Sequence, residues 1–250
     1  MIHVKSESDI AQMREAGRMV ANVLSLLSEY AKPGVTTAKL DKLAHDYICD
    51  NGGVPSCLGY QGYPKTICTS VNEQIVHGIP GNYVLKDGDI VSCDVVAELN
   101  GWHGDATRTF LIGDVSDEVR ELVKVTEECF YEGLKAAVPG NRVSDISKAI
   151  QVHAESHGYG VVREYIGHGI GREMHESPEV PNYFDPRHGR GARLVKGMVL
   201  AIEPMIALRS PAARLKPDGW TAFTADGKPC SHHENTIAVT DGEPIILTEP

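Results

Sequence analysis

Four acidic residues stand in two matching settings in the two halves of the chain. The first acid of each pair follows a glycine by six positions, and the second begins an acid–any residue–threonine motif. The four are Asp94 and Asp105 in the first half and Glu203 and Glu234 in the second. All lie in or beside apolar, strand-like runs, where an unpaired charge is costly to bury. Carboxylate oxygens gathered in this way are typical ligands of a multivalent metal ion, so the pattern predicts a metal site.

The first acidic pair lies in a predicted hairpin. Residues 89–97 and 105–112 are strand-like and flank Asn100-Gly101, a strong signal for a two-residue turn. In that register Asp94 and Asp105 are diagonal neighbours on one face of the sheet. Two carboxylates this close repel each other unless a cation lies between them. A solvent-facing hairpin with two ordinary acids is the alternative, and the matching settings of the other two acids argue against it.

Three of the eleven histidines lie in settings that favour chemistry. His168 lies among the glycines of 167–171, where the backbone can approach a site closely. His175 follows soon after it, and His77 precedes a predicted turn. Two more, His103 and His233, are close in sequence to acids and are candidates to contact and orient those acids. The remaining histidines are predicted to be surface residues: His3, His45, His153, His157, His188 and His232.

Composition narrows the class of protein. The chain has 250 residues, 42% of them hydrophobic, and its net charge of −10 argues against a general nucleic-acid-binding surface. None of the six cysteines forms a C-x-x-C pair, the N-terminus has no apolar signal core, and no apolar run reaches 18 residues. H-E-x-x-H, G-x-S-x-G and Walker A motifs are absent. The sequence therefore predicts a cytoplasmic protein with reduced thiols and no membrane contact.

The elements that must position these residues repeat along the chain. An apolar helical stripe ended by Pro-Gly, then a shorter helix, then strands, occurs twice. Ser8 and Asp9 are the predicted caps of the first helix. The predicted helices cover about 8–32, 37–51, 116–138 and 144–158.

This repeat predicts an α+β fold with internal pseudo-twofold symmetry and the acids at its centre. The chain is expected to form one domain, 1–250, with halves of about 1–115 and 116–250. Segment 178–196 is rich in Pro, Gly and Arg, and it is predicted to be a long surface loop placed over the site. Segment 209–230 is read as a second insertion, which explains the wider spacing of the acids in the second half.

Taken together, these residues resemble the methionine aminopeptidases, in particular the short bacterial type I form, over essentially the whole chain. The segments that carry the resemblance are HGIP (77–80), SCDV (92–95), HGDATRTF (103–110), GHGIGREMHE (167–176), IEPM (202–205) and HHENTI (232–237). Their order and spacing are highly specific as a combination. The resemblance implies the α+β pita-bread fold of that family, whose internal pseudo-twofold symmetry agrees with the repeat in the sequence.

The resemblance also implies roles for individual residues. The five metal ligands would be Asp94, Asp105, His168, Glu203 and Glu234, holding two divalent ions of cobalt, manganese, iron or zinc that activate a water. Asp94 would bind one ion through both oxygens, Asp105 and Glu234 would bridge the two, and His168 and Glu203 would complete the second. His175 would be the donor to the oxyanion, His77 would contact the substrate backbone, and Glu203 would be the proton shuttle, with Glu234 as an alternative.

A methionine-sized pocket is implied at positions that match the family pattern, with sulfur and aromatic walls suited to a thioether. Those positions are Cys57, Tyr60, Tyr63, Cys68, Met174 and Trp220. Met174 is a departure, because many relatives carry an aromatic residue there, and it predicts a more flexible pocket.

The expected function is metal-dependent removal of the N-terminal methionine from nascent polypeptides by hydrolysis of the first peptide bond. The expected partner is a polypeptide N-terminus with methionine first and a small second residue. The enzyme is expected to be a monomer, and the basic part of 178–196 allows a transient contact with the ribosome. The alternatives are a proline-specific exopeptidase of the same fold and a non-catalytic binding module.

Overall fold

Two pairs of helices each precede a group of strands in the computed structural model, which describes residues 2–249. The helices are α1 (Glu7–Tyr30), α2 (Thr37–Asp50), α3 (Asp117–Ala136) and α4 (Val143–Ser156). The strands are β1 (Val54–Pro55), β2 (Cys68–Val71), β3 (Gln74–Val76), β4 (Ile90–Leu99), β5 (Trp102–Leu111), β6 (Gly160–Val161), β7 (Gly167–Gly169), β8 (Glu176–Val180), β9 (Val199–Ile202), β10 (Met205–Ala207), β11 (Ala213–Leu215), β12 (Ala222–Thr224), β13 (Cys230–His232), β14 (Glu234–Ala238) and β15 (Ile245–Ile246). Short 3-10 turns occupy Tyr60–Gly62 and Pro186–His188. The helix–helix–strands order occurs twice, as predicted.

The helix bounds follow from the apolar stripes and the caps. All four predicted helices are present, with ends within about two residues of the prediction. The predicted cap at Ser8 is wrong, because Ser8 lies inside the first turn of α1. The cap is Ser6, whose hydroxyl accepts a hydrogen bond from the Asp9 amide while the Asp9 carboxylate accepts one from the Ser6 amide. This reciprocal pair satisfies two amides that no helical carbonyl can reach.

The central sheet joins the two halves of the chain. Its nine strands run in the order β1-β4-β5-β14-β9-β7-β8, with β2 also on β4 and β15 also on β14. The predicted hairpin of β4 and β5 is confirmed, with Asp94 opposite Thr107 and Val96 opposite Asp105. Strand β5 then pairs with β14, so the two halves of the repeat meet along this line.

Alternation along these strands separates a helix-covered face from an inner face. Cys93, Val95 and Ala97 of β4 pack against α1 and α2 in one buried cluster. In the second half, Leu200 and Ile202 of β9 pack in a separate cluster with α3 and α4. Because neighbouring residues of a strand point to opposite faces, the intervening positions turn inward, away from both helix pairs. The acids occupy these inner positions.

Two irregular segments fold differently from each other. Part of 209–230 forms β11 and β12, which pair with β3 in a small three-stranded sheet and carry Trp220 at their connection. Segment 178–196 packs instead along the start of α4, where the Val143 amide donates to Ala192 O and Arg190 pairs with Asp145. None of its described side chains, those of 178–187 and 189–196, lines the central cavity, so the prediction that it lies over the site is wrong. Backbone carbonyl oxygens of segment 178–196 accept hydrogen bonds from the first amides of α4, which have no acceptor within the helix.

One buried ion pair ties the N-terminal segment to the loop that carries His175. Lys5 Nζ lies 2.6 Å from Glu176 Oε2, and the two side chains are 4% and 10% exposed. The other oxygen of Glu176 accepts a hydrogen bond from the Arg172 amide at 2.9 Å. Burial raises the pKa of Glu176, but the hydrogen bond and charge of Lys5 outweigh it and leave the pKa below its ordinary value of 4.5.

Lys5→Met is expected to lower the free energy of unfolding by about 3 kcal/mol, because it leaves a buried carboxylate without its cation. A lowered carboxyl pKa stabilises the fold above the unfolded-state pKa, and that stability is lost as the pH falls through the folded-state pKa. The difference between parent and variant should therefore shrink below about pH 4. Chemical denaturation at several pH values measures it, with Lys42→Met, which breaks the exposed Lys42–Asp46 pair, as the control expected to change nothing measurable. A difference that is independent of pH would contradict this assignment.

Candidate metal centre and substrate cavity

The four acids converge where the two halves of the sheet meet. Asp94 lies on β4 and Asp105 on β5, while Glu203 directly follows β9 and Glu234 begins β14. All four lie within or at the edge of one cavity. Asp105 is 3% exposed and Glu234 is 2% exposed, so these charges are withdrawn from water.

The threonines of the repeated acid-x-Thr motif cross between the halves. Thr107 Oγ1 donates to Glu234 Oε2 at 2.9 Å. Thr236 Oγ1 donates to the Asp105 carbonyl oxygen at 2.9 Å and accepts from the Asp105 amide at 3.0 Å. Each threonine therefore holds the acidic residue of the other half. The repeated motif therefore has the same structural role in both halves, which is to hold β5 and β14 together.

His168 presents a nitrogen lone pair to the acids. Its Nδ1–H donates to the Gly169 carbonyl oxygen at 2.8 Å, which leaves Nε2 unprotonated in the neutral ring. That Nε2 lies 3.7 Å from both Asp105 Oδ2 and Glu203 Oε1. Burial, and then the neighbouring His175, lower the pKa of His168 to about 3, so the ring is neutral at ordinary pH. Neutral imidazole with a fixed tautomer is the form that binds a metal.

The carboxylates lack the positive charge that their burial demands. Burial raises the pKa of Asp94 to about 6, and the neighbouring side chains of Thr107 and Asp105 act in the opposite direction. Burial and neighbouring acids raise the pKa values of Asp105, Glu203 and Glu234 well above their ordinary values. Asp94 Oδ1 and Asp105 Oδ1 are buried with no hydrogen-bond partner. Among the described residues, no lysine or arginine lines the cavity.

This donor set fits divalent ions. Ligand atoms of Asp105, His168 and Glu234 all lie within 4.8 Å of one another. Unpartnered carboxylate oxygens beside an imidazole lone pair form a hard, oxygen-rich site that suits manganese, iron or cobalt as well as zinc.

A second group of possible ligands lies on the surface between α3 and α4. It consists of Glu128, His153 and His157. Glu128 already accepts from His153 at 3.0 Å and pairs with Lys124 at 3.5 Å. The ammonium group of Lys124 already supplies the positive charge beside Glu128. These residues therefore form an ordinary surface network of hydrogen bonds and ion pairs.

A cavity of about 220 Å³ opens beside the acids, and sulfur-containing and aromatic side chains form its wall. The structure brings all six predicted pocket residues to this wall: Cys57, Tyr60, Tyr63, Cys68, Met174 and Trp220. A hydrogen bond with Cys68, and then burial, raise the pKa of Cys57, so it stays a neutral thiol. Val96 and Gln61 also line the cavity and were missed in the sequence, although Val96 shares its strand face with Asp94.

Two further histidines face the cavity from opposite loops. His77 has a φ of 58°, and the next residue must be glycine, because a Cβ on Gly78 would lie 2.2 Å from the Thr69 carbonyl oxygen. Burial, and then His175, lower the pKa of His77 to about 4. His175 Nδ1 lies 2.9 Å from Tyr60 Oη. The phenol is the better donor and the ring nitrogen the better acceptor, so the proton of neutral His175 is on Nε2.

The prediction that His232 is a surface residue is wrong. It is 2% exposed, and its Nε2 lies 3.8 Å from Glu203 Oε2 and 3.9 Å from Glu234 Oε2. No local signal in the sequence places it inside, because His232 ends β13 and Glu234 begins β14, two strands that belong to different sheets. His233 points to the opposite face, against Phe130 at 5.4 Å.

The other histidine expectations have mixed outcomes. His233 is buried away from the carboxylates, and His103 contacts the Gly171 carbonyl oxygen at 3.3 Å, so neither is seen supporting an acid. His3 and His157 are exposed, and His45 and His153 are partly exposed. The side chain of His188 lies outside the part of the chain that the structure describes.

Comparison with known proteins agrees with this fold. The chain matches the model of metallopeptidase family M24 over residues 11–241, and it belongs to that family. Within it, the chain is a member of the methionine aminopeptidases. It is 53% identical to the methionine aminopeptidase of Clostridium acetobutylicum, covering 99% of each chain.

Solved structures agree with this family assignment. The methionine aminopeptidase of Thermotoga maritima superposes with a TM-score of 0.97 at 43% identity, covering 100% of both chains. The prolidase of Pyrococcus horikoshii shares the pita-bread fold with a TM-score of 0.80 at 21% identity, covering 98% of this chain and 63% of that one. The likeness to prolidase is therefore one of fold alone. In residues 2–249, no helix is both long and apolar enough to span a membrane.

Proposed function

We propose that the chain removes the N-terminal methionine from polypeptides by hydrolysing the first peptide bond. The observation that carries the proposal is the convergence of uncompensated buried carboxylates with His168 beside a sulfur-lined cavity. Asp94, Asp105 and Glu234 would hold one divalent ion, and Asp105, Glu234, His168 and Glu203 the second. Such a pair of ions lowers the pKa of water and polarises the scissile carbonyl group.

The chain's own residues supply the proton transfers and the orientation. Glu203 lines the cavity with one carboxylate oxygen 3.7 Å from His168 Nε2, a position that suits a carboxylate that accepts and returns a proton. His175 offers its Nε2–H to the substrate carbonyl oxygen as negative charge develops there. His77, buried across the cavity against Trp220 at 6.4 Å, is placed to contact the leaving nitrogen.

The cavity accounts for a preference for methionine. The sulfur atoms of Cys57 and Cys68 and the ring of Trp220 offer a polarizable wall to a thioether. Tyr63 packs edge-on to Trp220 at 5.1 Å, and its hydroxyl is taken up by the Ile67 and Gly78 carbonyl oxygens, so it turns an apolar ring to the ligand. Met174 adds an adaptable side chain. The preference for a small second residue stays a prediction.

Tyr60→Phe is expected to lower kcat about fivefold with little change in KM, since a neutral hydrogen bond contributes about 1 kcal/mol. The lost bond is the one that fixes the His175 ring and its tautomer. Steady-state kinetics measure it, and Tyr83→Phe, which removes a hydroxyl bonded to Asp89 far from the cavity, is the matched control. A change confined to KM would indicate a role in binding only.

The function is tested with two peptides, Met-Ala-Ser and Ala-Pro-Ser, given to chelated protein resupplied with manganese, cobalt, iron or zinc. Methionine release from the first alone, dependent on metal, supports the proposal and ranks the metals. Cleavage of only the proline peptide would assign the chain to the proline-specific relatives. Cleavage of neither would favour a binding module.

We propose that the active unit is a monomer and that the reaction takes place in the cytoplasm. All six cysteines, each within the described range, are free thiols, which supports a reducing compartment such as the cytoplasm. Contact with the ribosome would use the exposed side of 178–196, where Arg187 and Arg190 already pair with Asp185 and Asp145.

A further inference from the structure

His232 lies beside the metal-binding carboxylates and has no role in the reaction described so far. Its backbone is fixed by β5 of the other half, because its amide donates to Thr109 Oγ1 at 3.2 Å and its carbonyl oxygen accepts from the same hydroxyl at 2.8 Å. On the other side, β13 pairs it with Met205. The backbone from which the ring projects is therefore held in place by both halves of the fold.

The ring nitrogen of His232 is unsatisfied. Nε2 is fully buried and has no hydrogen-bond partner among the residues that the structure describes, a state that costs free energy and calls for an explanation. The polar atoms that it faces are carboxylate oxygens of Glu203 and Glu234. Glu234 Oε2 already accepts from Thr107, whereas no hydrogen bond from the described residues holds the side chain of Glu203.

Glu203 lies between two imidazole rings that face different oxygens. Its Oε1 lies 3.7 Å from His168 Nε2, and its Oε2 lies 3.8 Å from His232 Nε2. His168 Nε2 carries no proton, because its Nδ1–H donates to Gly169. A nitrogen that faces a carboxylate is stabilised as N–H, so the two rings have complementary forms. A movement of about 1 Å, within the freedom of a glutamate side chain, brings Oε2 to hydrogen-bond distance of His232.

We propose that His232 is a positioning residue for the metal centre, which donates its Nε2–H to Glu203 Oε2 and so keeps Oε1 beside His168 for the ion. The inference rests on the proposed function, since it assigns to Glu203 the role of a ligand. Groups that orient metal ligands in this way typically contribute 10- to 100-fold in metal affinity. His233, the adjacent histidine on the opposite face, offers a matched control.

The test compares His232→Leu, His232→Gln and His233→Leu, each stripped with chelator and titrated with Mn²⁺ by calorimetry, with thermal melting to confirm folding. We expect His232→Leu to bind Mn²⁺ about 10- to 100-fold more weakly than the parent. His232→Gln should recover most of the affinity through its amide N–H, and His233→Leu should match the parent. His232→Phe, which keeps the ring volume, replaces the leucine variant if the latter does not fold.

Four outcomes would overturn the inference. Parent-like affinity in His232→Leu would show that the ring does not act on the centre. Equal weakening in His233→Leu would point to general packing. A shift of the Co²⁺ absorption bands in His232→Gln, with no recovery of affinity, would make His232 a direct ligand. Failure of the parent itself to bind Mn²⁺ would refute the proposed function and this inference with it.

Discussion

Asp105→Asn is expected to lower kcat/KM for Met-Ala-Ser by about a thousandfold or more, since a bound ion contributes several kcal/mol to the transition state. Asp105 has an oxygen 3.7 Å from His168 Nε2, and its other oxygen is buried without a partner. Asparagine keeps the shape but removes the charge that holds the ions. The same change removes one of four mutually repelling buried acids, so the melting temperature of the metal-free protein should rise.

Asp89→Asn is the matched control. Asp89 is also buried and directly precedes β4, but it accepts hydrogen bonds from Asn72, Tyr83 and the Lys86 amide, away from the cavity. Its replacement should lower the melting temperature and leave kcat/KM of the folded enzyme unchanged. Asp105→Asn should therefore lower kcat/KM and raise the melting temperature of the metal-free protein, whereas Asp89→Asn should lower the melting temperature alone. Kinetics and thermal melting on the same samples measure both effects. An active Asp105→Asn enzyme would contradict the assignment of Asp105 as a ligand.

His175→Ala is expected to lower kcat about 100- to 1,000-fold, the usual effect of removing an oxyanion donor. The Tyr60 hydroxyl places the proton of His175 on Nε2, and the ring packs edge-on to His168 at 4.3 Å, beside the acids. A donor at that position acts on charge that exists only in the transition state, so KM should change little. Metal content should stay at the parent value, because His175 is not a proposed ligand.

A double-mutant cycle sharpens the test of His175. If Tyr60 acts only through His175, adding Tyr60→Phe to His175→Ala should cause no further loss in kcat. Independent, additive losses would show that Tyr60 contacts the substrate by itself. A rise in KM with unchanged kcat in His175→Ala would assign the ring to substrate binding.

The features that could be predicted from the sequence depend on local spacing. Helix ends follow from apolar periodicity and Pro-Gly, and the register of β4 with β5 follows from a two-residue turn at Asn100-Gly101. The hairpin register in turn places Asp94 and Asp105 on one face. These arguments need only the periods of helix and strand and the chemistry of one turn.

The features that could not be predicted depend on contacts between distant segments. His232 stands in a polar run, and only the packing of β13 and β14 shows that it turns inward while His233 turns toward Phe130. The hydrogen bonds by which Thr107 and Thr236 each hold an acid of the other half depend on the pairing of β5 with β14. No local pattern in the sequence specifies that pairing. Segment 178–196 has no periodicity, so its docking on α4 could not be read from composition.

The proposed metal ligands come from both halves of the chain. Thr107 holds Glu234, and Thr236 holds Asp105, so the geometry of each acidic pair depends on the other half. Ions bound at this line would stabilise the pairing of the halves, because they bind the folded state alone. Metal removal should therefore reduce stability as well as activity.

The most direct test of the central claim is a count of ions bound by the chelated protein after equilibrium dialysis against Mn²⁺ or Co²⁺, with methionine release from Met-Ala-Ser assayed on the same samples. The account predicts two ions per chain at saturation, as in other two-metal hydrolytic sites. It also predicts no activity without metal and a melting temperature about 5–10 °C higher at a metal concentration of 100 Kd. Methionine release from protein shown to be free of metal, or no stoichiometric binding of either ion, would contradict it.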